Sequence, residues 1–288
     1  MTDKVLIREG IQIVQNSRNV MTVYCTEVSA GWSLDFLIRA DAHHDNLYCD
    51  RAMEKEHLDE IKERNGLVAD FGDLFCAMQG KYDPRRSFSE LRPEYKLDNY
   101  FDEIVEDGSK FYGPYANNFI VLSPGNHESK VLENNGVDLT NNLVYRLNTK
   151  YGGHIQRGGY GGYIRFMFNS GKSNRRVLKY FHGSAGSGNQ NSINKQATIY
   201  PDADIVVNGH THDSWHKPII REKLSERGVV TRNVQHHIRT ATYKDSHRDG
   251  SSGWEVESGH PPKPLGAVRL RFVFKNNDID IEVKQMVK

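Results

Sequence analysis

Short apolar runs recur along the chain, and most of them lead into a polar residue beside a small one. Leu34–Ala40 runs directly into Asp41, and Leu67–Phe71 is followed by Gly72 and Asp73. Further runs of this kind are Asn118–Leu122, Tyr163–Phe168, Arg176–Phe181 and Ile205–Asn208. Apolar stretches of this length, bounded by small and polar residues, are typical of buried β-strands. We therefore predict strands that deliver polar side chains at their carboxyl ends.

The spacing of apolar residues predicts helices between these strands. Asp50–Arg64 has the apolar spacing of a helix, with Asp50 placed to cap it and Gly66 to end it. Thr140–Tyr151, closed by Gly152, is predicted as a second helix. Residues 1–30 predict short strands or an edge hairpin, and antiparallel strands are predicted at Arg232–Thr242, Ala267–Phe274 and Ile279–Lys284. The polar segments 80–115 and 213–262 are predicted to be long loops over one face.

Composition and charge narrow the class of protein. Of the 288 residues, 37% are hydrophobic and 26% are charged, which is ordinary for a soluble globular protein. The formal net charge of +1 gives no independent support for binding a polyanion. The cysteines Cys25, Cys49 and Cys76 are too few and too scattered for a disulfide framework or a cysteine zinc site. They suit a reducing compartment.

Neither a signal peptide nor a membrane span is predicted. The first residues lack an apolar core of signal-peptide length, and no stretch approaches the length of a membrane span. No repeat or linker divides the chain, so we expect one domain over residues 1–288. Its core motifs lie at 34–212 and its C-terminal strands at 232–288. The expected location is the cytoplasm, with no membrane partner.

The polar groups at the strand ends supply three kinds of metal ligand. They are Asp41, His43, Asp73, Asn126, His182, His210 and His212. Carboxylate, amide oxygen and imidazole together suit Mn²⁺, Fe²⁺ or Zn²⁺ and suit Ca²⁺ poorly. The spacing of Asp41 and His43, like that of His210 and His212, places both side chains on one side of an extended segment. These residue types at strand ends predict a metal site at one edge of the sheet.

The motifs that contain these residues resemble those of the calcineurin-like metallophosphoesterase superfamily. Its pattern is D-x-H, G-D, G-N-H-[DE], H and G-H-x-H, and this sequence has DAH, GD, GNHE, HG and GHTH in the same order. The resemblance spans Asp41 to His212. It implies an α/β fold, a four-layer α/β/β/α sandwich with two mixed β-sheets. The PLGA segment at Pro264 is also similar to that of stand-alone phosphoesterases encoded by bacteriophages. This resemblance implies that the protein acts in a bacterial or phage-infected cell.

The resemblance implies a dinuclear centre and a general acid. Two divalent transition-metal ions would share Asp73. Asp41, His43 and His212 would complete the first site, and Asn126, His182 and His210 the second. Mn²⁺ is the favoured ion, with Fe²⁺, Zn²⁺ and Ni²⁺ as alternatives. His127 would stand near the leaving-group oxygen as general acid, while two cations about 3.5–4 Å apart lower the pKa of a bridging water.

Three positions depart from the protein-phosphatase branch of this superfamily. That branch carries GDxxDR, whereas this sequence has GDLFCA: Cys76 replaces the acid expected to orient the catalytic histidine, and Ala77 replaces a phosphate-binding arginine. Pro124 replaces a second arginine, which precedes GNHE in that branch. GDLF is similar instead to the nuclease branch, which includes the nuclease subunit of the double-strand-break repair complex. The loss of both arginines favours a phosphodiester over a phosphomonoester.

Four further residues are candidates for supporting roles. Cys76 and Glu128 are expected to support the metal ligands, and Cys76 is interpreted as a packed small residue because metal-activated water already serves as nucleophile. Arg85 and Arg86, in the polar segment after Asp73, are candidates for contacting the substrate phosphate.

The sequence therefore predicts a metal-dependent hydrolase that cleaves phosphodiester bonds of nucleic acid or nucleotides. One alternative is a phosphomonoesterase that acts on a small metabolite or a phosphoprotein, using arginines from residues 80–96. The other is a non-catalytic binding protein that retains its metals structurally. The expected partner is the phosphoester substrate, and the sequence identifies no protein partner.

Overall fold

Two mixed β-sheets carry the fold, which we describe from a computed structural model. The structure describes residues 4–77, 90–96, 98–169, 173–184, 190–224, 226, 228–250 and 254–288. In chain order the strands are β1 (Val5–Arg8), β2 (Ile11–Ser17), β3 (Val20–Cys25), β4 (Ser33–Arg39), β5 (Leu67–Asp70), β6 (Phe119–Leu122), β7 (Gln156–Arg157), β8 (Gly161–Asn169), β9 (Ser173–Phe181), β10 (Ile205–Asn208), β11 (Trp215–Leu224), β12 (Val230–Arg239), β13 (Gly266–Lys275) and β14 (Asp278–Val287). The helices are α1 (Arg51–Glu63), α2 (Tyr100–Tyr112), α3 (Asn126–Asn135), α4 (Leu139–Tyr151), α5 (Gln190–Ile199) and α6 (Trp254–Glu257).

The strand order brings the predicted ligand-bearing strands side by side. The larger sheet has the order β1-β2-β3-β8-β9-β10-β12-β11, and the smaller has β14-β13-β4-β5-β6-β7. Within the smaller sheet β4, β5 and β6 are parallel neighbours, and within the larger sheet β9 and β10 are parallel neighbours. Parallel neighbours end at the same edge of a sheet, so the residues that follow these strands can meet at one rim.

The two sheets pack face to face through an apolar core. Alternate residues of β8, Ile164, Phe166 and Phe168, point into this core, as the two-residue period of a strand requires. Phe166 meets Phe36 of β4 edge-to-face, with ring centroids 5.3 Å apart. Phe272 of β13 lies 4.7 Å from the Phe166 ring centroid on the same interface. This interdigitation fixes the relative placement of the two sheets and hence of their ends.

Helices cover the outer faces, and the predicted α/β/β/α architecture is confirmed. Apolar residues of α1, α2 and α4 form a second core against the smaller sheet; they include Leu58, Ile61, Ile104, Leu143 and Leu147. On the outer side of the larger sheet, α5 leads into Tyr200, whose carbonyl accepts a hydrogen bond from Gln235 of β12 at 2.9 Å. The protein is therefore layered helix, sheet, sheet, helix.

The two helices predicted from the sequence are present within one residue of the predicted bounds, although α1 is capped at Arg64, before Gly66. Asp50 caps α1, since its carboxylate accepts a hydrogen bond from the Met53 backbone N–H at 3.0 Å. Gly152 ends α4 in the left-handed conformation with φ of 69°, which glycine adopts at low steric cost. The predicted strands are also present, within a few residues at each end.

The prediction of loops at 80–115 and 213–262 was wrong. The first segment contains α2, whose buried residues include Tyr100, Ile104 and Tyr112, and whose helical pattern is weakened by the central Gly108. The second contains β11, which was not predicted and which pairs along its whole length with β12, the strand predicted at Arg232–Thr242. Pro218 interrupts the β11 pattern, but a proline is tolerated there because β11 is an edge strand. The helices α3 and α5 were also not predicted.

None of the helices in the described ranges is long and apolar enough to cross a membrane. That residues 1–288 form one domain stays a prediction.

Candidate metal centre

Five strand ends place polar side chains at one rim of the two sheets. Asp41 and His43 follow β4, Asp73 follows β5, and Asn126 begins the helix after β6. His182 follows β9, while His210 and His212 follow β10. The structure thus brings together all the residues predicted to bind metal, and it divides them between two adjoining groups.

The first group consists of Asp41, His43 and His212. The Nε2 atoms of His43 and His212 face each other at 3.2 Å, and His212 Nε2 lies 3.5 Å from Asp41 Oδ1. Asp41 Oδ1 is buried and has no hydrogen-bond partner. Burial lowers the pKa of His43 well below its usual value, and His127 and His212 lower it further. Two imidazole nitrogens and a carboxylate oxygen that converge in this way are a donor set that suits a divalent transition metal.

The second group consists of Asp73, His182, His210 and Asn126. His182 Nε2 lies 3.2 Å from Asp73 Oδ2 and 3.1 Å from Asn126 Oδ1. His210 Nδ1 lies 2.7 Å from the same amide oxygen. His182 Nδ1 donates to the Phe71 carbonyl at 2.9 Å, which turns Nε2 toward the cluster. Oxygen and nitrogen atoms therefore converge here as well.

Asp73 and His182 strongly shift each other's pKa within the second group. Burial lowers the pKa of His182, but Asp73 outweighs it and raises the pKa to about 10. Burial raises the pKa of Asp73, but His182 and then His127 outweigh it and hold this pKa well below its usual value. Asp73 and His182 therefore each favour the charged form of the other, and a metal ion bound between them would replace the His182 proton as the cation beside Asp73.

The backbone is strained at five of the seven candidate metal ligands. A positive φ is found at Asp41 (55°), His43 (48°), Asp73 (54°), His210 (74°) and His212 (58°). Residues other than glycine rarely adopt this region, and each such residue costs about 1–3 kcal/mol. Such strain is retained where surrounding structure over-determines it, and it concentrates at functional sites.

Two glycines permit the close approach of the loops. Gly72 has a φ of 109°, and a Cβ there would lie 2.5 Å from the Gly125 nitrogen and 2.7 Å from His182 Nδ1. A Cβ on Gly125 would collide with Asp73 Oδ1. A larger residue at either position would push Asp73 away from His182.

Glu128 lies beneath the two loops that carry Asp73 and Asn126. Its carboxylate accepts hydrogen bonds from the backbone N–H groups of Asp73 at 3.1 Å, Phe75 at 2.9 Å and Gly125 at 2.8 Å. Burial, and then the charge of Asp73, raise the pKa of Glu128 to about 8. The contacts of Glu128 are those of a residue that supports the ligand-bearing loops.

His127 lies at the entrance to the second group. Its Nε2 is 3.8 Å from Asp73 Oδ2, and its ring centroid is 5.0 Å from that of His43. Its Nδ1 donates to the backbone carbonyl of Cys76 at 2.6 Å. The sequence left open which group orients His127, and in the structure it is a peptide carbonyl. The Cys76 thiol is buried, and burial raises its pKa, so it remains protonated.

The predicted substrate-contacting residues Arg85 and Arg86 lie outside the described residues. A cavity of about 350 Å³ adjoins the first group beside His210 and His212. Its far wall includes Ser246, His247 and Lys263.

Comparisons with known proteins find similarity in structure alone. No family model matches the sequence, and no curated protein matches it. Vps29 from Entamoeba histolytica, solved in complex with Zn²⁺, aligns over 87% of this chain and 98% of its own, at 11% identity and a TM-score of 0.36. Vps29 from Chaetomium thermophilum aligns over 88% and 96%, at 7% identity and a TM-score of 0.37.

A conserved uncharacterised protein from Streptococcus pneumoniae TIGR4, described as a predicted phosphoesterase, is also similar. It aligns over 88% of this chain and 100% of its own, at 11% identity and a TM-score of 0.32. At these identities and TM-scores the likeness carries no information about activity.

Sequence reasoning missed two residues that hold the ligand-bearing loops. Arg239 of β12 donates from Nη1 to the Gly209 carbonyl and to Thr211 Oγ1, both at 2.7 Å, and so braces the loop between His210 and His212. Asp45 accepts hydrogen bonds from backbone N–H groups of the loop after Asp73. Arg239 has no sequence signal beyond a charge within a strand. Asp45 continues the two-residue spacing of Asp41 and His43.

Proposed function

We propose that this protein is a metal-dependent phosphoesterase with a dinuclear centre. The observation that carries the proposal is the pair of adjoining donor groups, in which imidazole nitrogens and carboxylate oxygens face one another at 3.2–3.5 Å. Asp41, His43 and His212 hold one ion, Asn126, His182 and His210 hold the other, and Asp73 is shared. Mn²⁺ is the favoured ion.

Two bound cations would lower the pKa of a water molecule between them and neutralise the phosphate oxygens. The residues of the chain orient these components. The carbonyls of Phe71 and Cys76 fix the rings of His182 and His127, so each directs its Nε2 into the site. A doubly protonated His127 then donates its Nε2 proton to the leaving oxygen, as a general acid does.

We further propose a phosphodiester as the substrate, with nucleic acid or a nucleotide as its natural form. The support is the chemistry of three positions. Ala77 and Pro124 provide no guanidinium group to grip a doubly charged monoester. The cavity of about 350 Å³ beside His210 and His212 provides room for the second ester arm that only a diester has.

Metal analysis combined with a substrate pair tests this function. Purified protein should contain two transition-metal ions per chain, and chelation should abolish hydrolysis of bis-nitrophenyl phosphate. The specificity constant kcat/KM should be higher for this diester than for nitrophenyl phosphate. Full activity after removal of the metal would contradict the metal-dependent mechanism. A monoester preference above about tenfold, equivalent to about 1.4 kcal/mol in the barrier, would replace the diesterase with a phosphomonoesterase.

A further inference from the structure

One buried carboxylate outside the predicted site grips the loop that follows Asp73. Asp45 is 1% exposed. Its Oδ1 accepts from the Cys76 backbone N–H at 2.5 Å, and its Oδ2 accepts from the Ala77 backbone N–H at 2.9 Å. The Tyr100 hydroxyl of α2 also donates to Oδ2. All three bonds are buried, and the two to backbone N–H groups fix the segment Cys76–Ala77, next to the part of the loop that Glu128 holds.

The loop held by Asp45 has a conformation that it would not adopt unaided. Ala77 has a φ of 50°, in the left-handed region that alanine rarely occupies. Such a residue persists only where its surroundings impose the conformation. The two backbone hydrogen bonds to Asp45 fix the peptide groups on either side of Cys76, immediately before this residue.

A single peptide group connects Asp45 to His127. The Cys76 carbonyl and the Ala77 N–H belong to the same planar unit and point in opposite directions. The N–H donates to Asp45, and the carbonyl accepts from His127 Nδ1 at 2.6 Å. Hydrogen bonds arranged in such a chain polarise one another, so the carboxylate makes the carbonyl a stronger acceptor.

We propose that Asp45 is the positioning residue for His127 and acts through the Cys76–Ala77 peptide. It thereby serves in place of the acid that Cys76 replaces, at a distance of one peptide. Asp45 keeps the Nδ1 proton in place, which defines the Nδ1–H tautomer of the neutral ring, so that the second proton of the protonated ring lies on Nε2, which faces Asp73. This inference rests on the proposed function for the role of His127 as general acid, but the tautomer itself is independent of that role.

Nuclear magnetic resonance of the histidine rings tests the tautomer directly. The protein is loaded with Zn²⁺, which is diamagnetic, and the His127 signals are assigned by their loss in His127→Gln. Wild type should show the Nδ1–H tautomer. In Asp45→Asn one of the two loop N–H groups faces the side-chain NH₂ instead of an oxygen, so His127 should populate both tautomers.

Asp204→Asn is the matched control. Asp204 also accepts a backbone N–H, from Val177 at 2.8 Å, but it precedes β10 and so lies at the opposite end of that strand from the candidate metal centre. This variant should leave the His127 tautomer unchanged. An unchanged tautomer in Asp45→Asn as well would overturn the proposal, whether or not the protein hydrolyses any ester.

Kinetics provide a second test that separates positioning from folding. Asp45→Asn should retain its metal and lose about 10–100-fold in kcat, the usual range for residues that support a site from behind. The loss should fall on diesters with a poor leaving group and spare nitrophenyl esters. In a His127→Ala background the same change should cost nothing further, because Asp45 acts through His127.

An equal loss in both backgrounds would show that Asp45 only stabilises the loop. Tyr100→Phe, which removes one donor and leaves both backbone bonds, should give a smaller loss than Asp45→Asn. Failure of the proposed function looks different: wild type would then show no metal-dependent hydrolysis, and the ring tautomer would still decide the role of Asp45.

Discussion

The strands β4 and β5 end in two buried polar clusters of opposite character. One is the candidate metal centre. The other, here called the arginine cluster, consists of Arg39, Asp70, Glu54, His44 and Tyr112. Arg39 Nε lies 2.7 Å from Asp70 Oδ2, and Arg39 Nη2 lies 2.5 Å from Glu54 Oε1. Arg39 and Asp70 end the strands, while Asp41 and Asp73 follow within three residues.

The difference lies in how the charges are compensated. In the arginine cluster a guanidinium meets two carboxylates, and neither Arg39, Glu54 nor Asp70 has a positive φ. In the metal centre imidazole nitrogens face each other, and the backbone at Asp41 and Asp73 is left-handed. In the arginine cluster a fixed cation, Arg39, lies beside both buried carboxylates, and removing one partner of such a buried group is destabilising. The strained donors of the candidate metal centre are the residues that we propose to hold metal ions.

The largest expected effect comes from breaking the metal centre alone. Asp73→Asn removes the charge shared by both proposed metal ions, so we expect metal content below one ion per chain. Hydrolysis of bis-nitrophenyl phosphate should fall by more than about 10⁴-fold, or more than about 5 kcal/mol in the barrier. Metal analysis and steady-state kinetics measure both.

Asp70→Asn is the matched substitution in the arginine cluster. It leaves Arg39 with one carboxylate, so it should lower the free energy of unfolding while the protein that remains folded keeps both metals. Loss of metal in Asp70→Asn, or full metal content in Asp73→Asn, would contradict the distinction between the two clusters.

The second effect separates catalysis from metal binding within the centre. His127→Ala should leave the metal content unchanged and slow turnover by about 10²–10⁴-fold, the range expected of a general acid. The loss should shrink for nitrophenolate, which needs little protonation to leave. Comparing nitrophenyl and unsubstituted phenyl diesters measures this; equal losses for both would assign His127 a positioning role.

The third effect concerns the charge balance of the arginine cluster. Burial raises the pKa of Glu54, but Arg39 and then His44 outweigh it and lower the pKa to about 2. Because the folded-state value is lower than the ordinary value of 4.5, the stabilisation is complete above pH 4.5 and is lost as pH falls through 2. It amounts to about 3 kcal/mol at neutral pH.

Glu54→Gln should therefore be less stable than wild type at pH 7, with a difference that narrows toward pH 2.5. Urea unfolding across this range measures it. Glu63→Gln, at an exposed position at the end of α1, is the control and should show no such convergence. A constant difference between wild type and Glu54→Gln would mean that Glu54 carries no pH-dependent stabilisation.

The smallest expected effect comes from adding a positively charged side chain beside the candidate metal centre. Ala77→Arg restores the guanidinium of the protein-phosphatase motif and should raise kcat/KM for nitrophenyl phosphate relative to the bis ester by about tenfold, or about 1.4 kcal/mol. Ala77→Gln is a control of similar length without charge. If both variants shift the preference equally, charge is not the cause.

The residues at the strand ends were predictable because two sequence signals coincide there. An apolar run before Asp41 or Asp73 marks a strand, and the polar residue that follows it marks a rim. The grouping of His182 with Asn126 was predicted from the order of the family motifs, because no local sequence pattern connects residues that are so far apart in the chain. The layered α/β architecture followed from the same resemblance.

The residues that support the site were not predictable in this way. We propose that Asp45 acts through a peptide group, which no local sequence pattern indicates. Its partner Tyr100 lies in α2, whose helical pattern Gly108 weakens. Arg39 is a charged residue in an otherwise apolar strand, and only the fold shows that Glu54 and Asp70 neutralise it. Their roles depend on tertiary contacts rather than on local pattern.

Pro218 in β11 has a consequence for the protein in concentrated solution. An open sheet edge is a template for another chain, and the neighbouring Ile220 is 72% exposed. A proline has no N–H to donate, and proline is one of the residues that blunt an open sheet edge. The residue that interrupts the sequence pattern of β11 is therefore expected also to weaken strand addition at this edge.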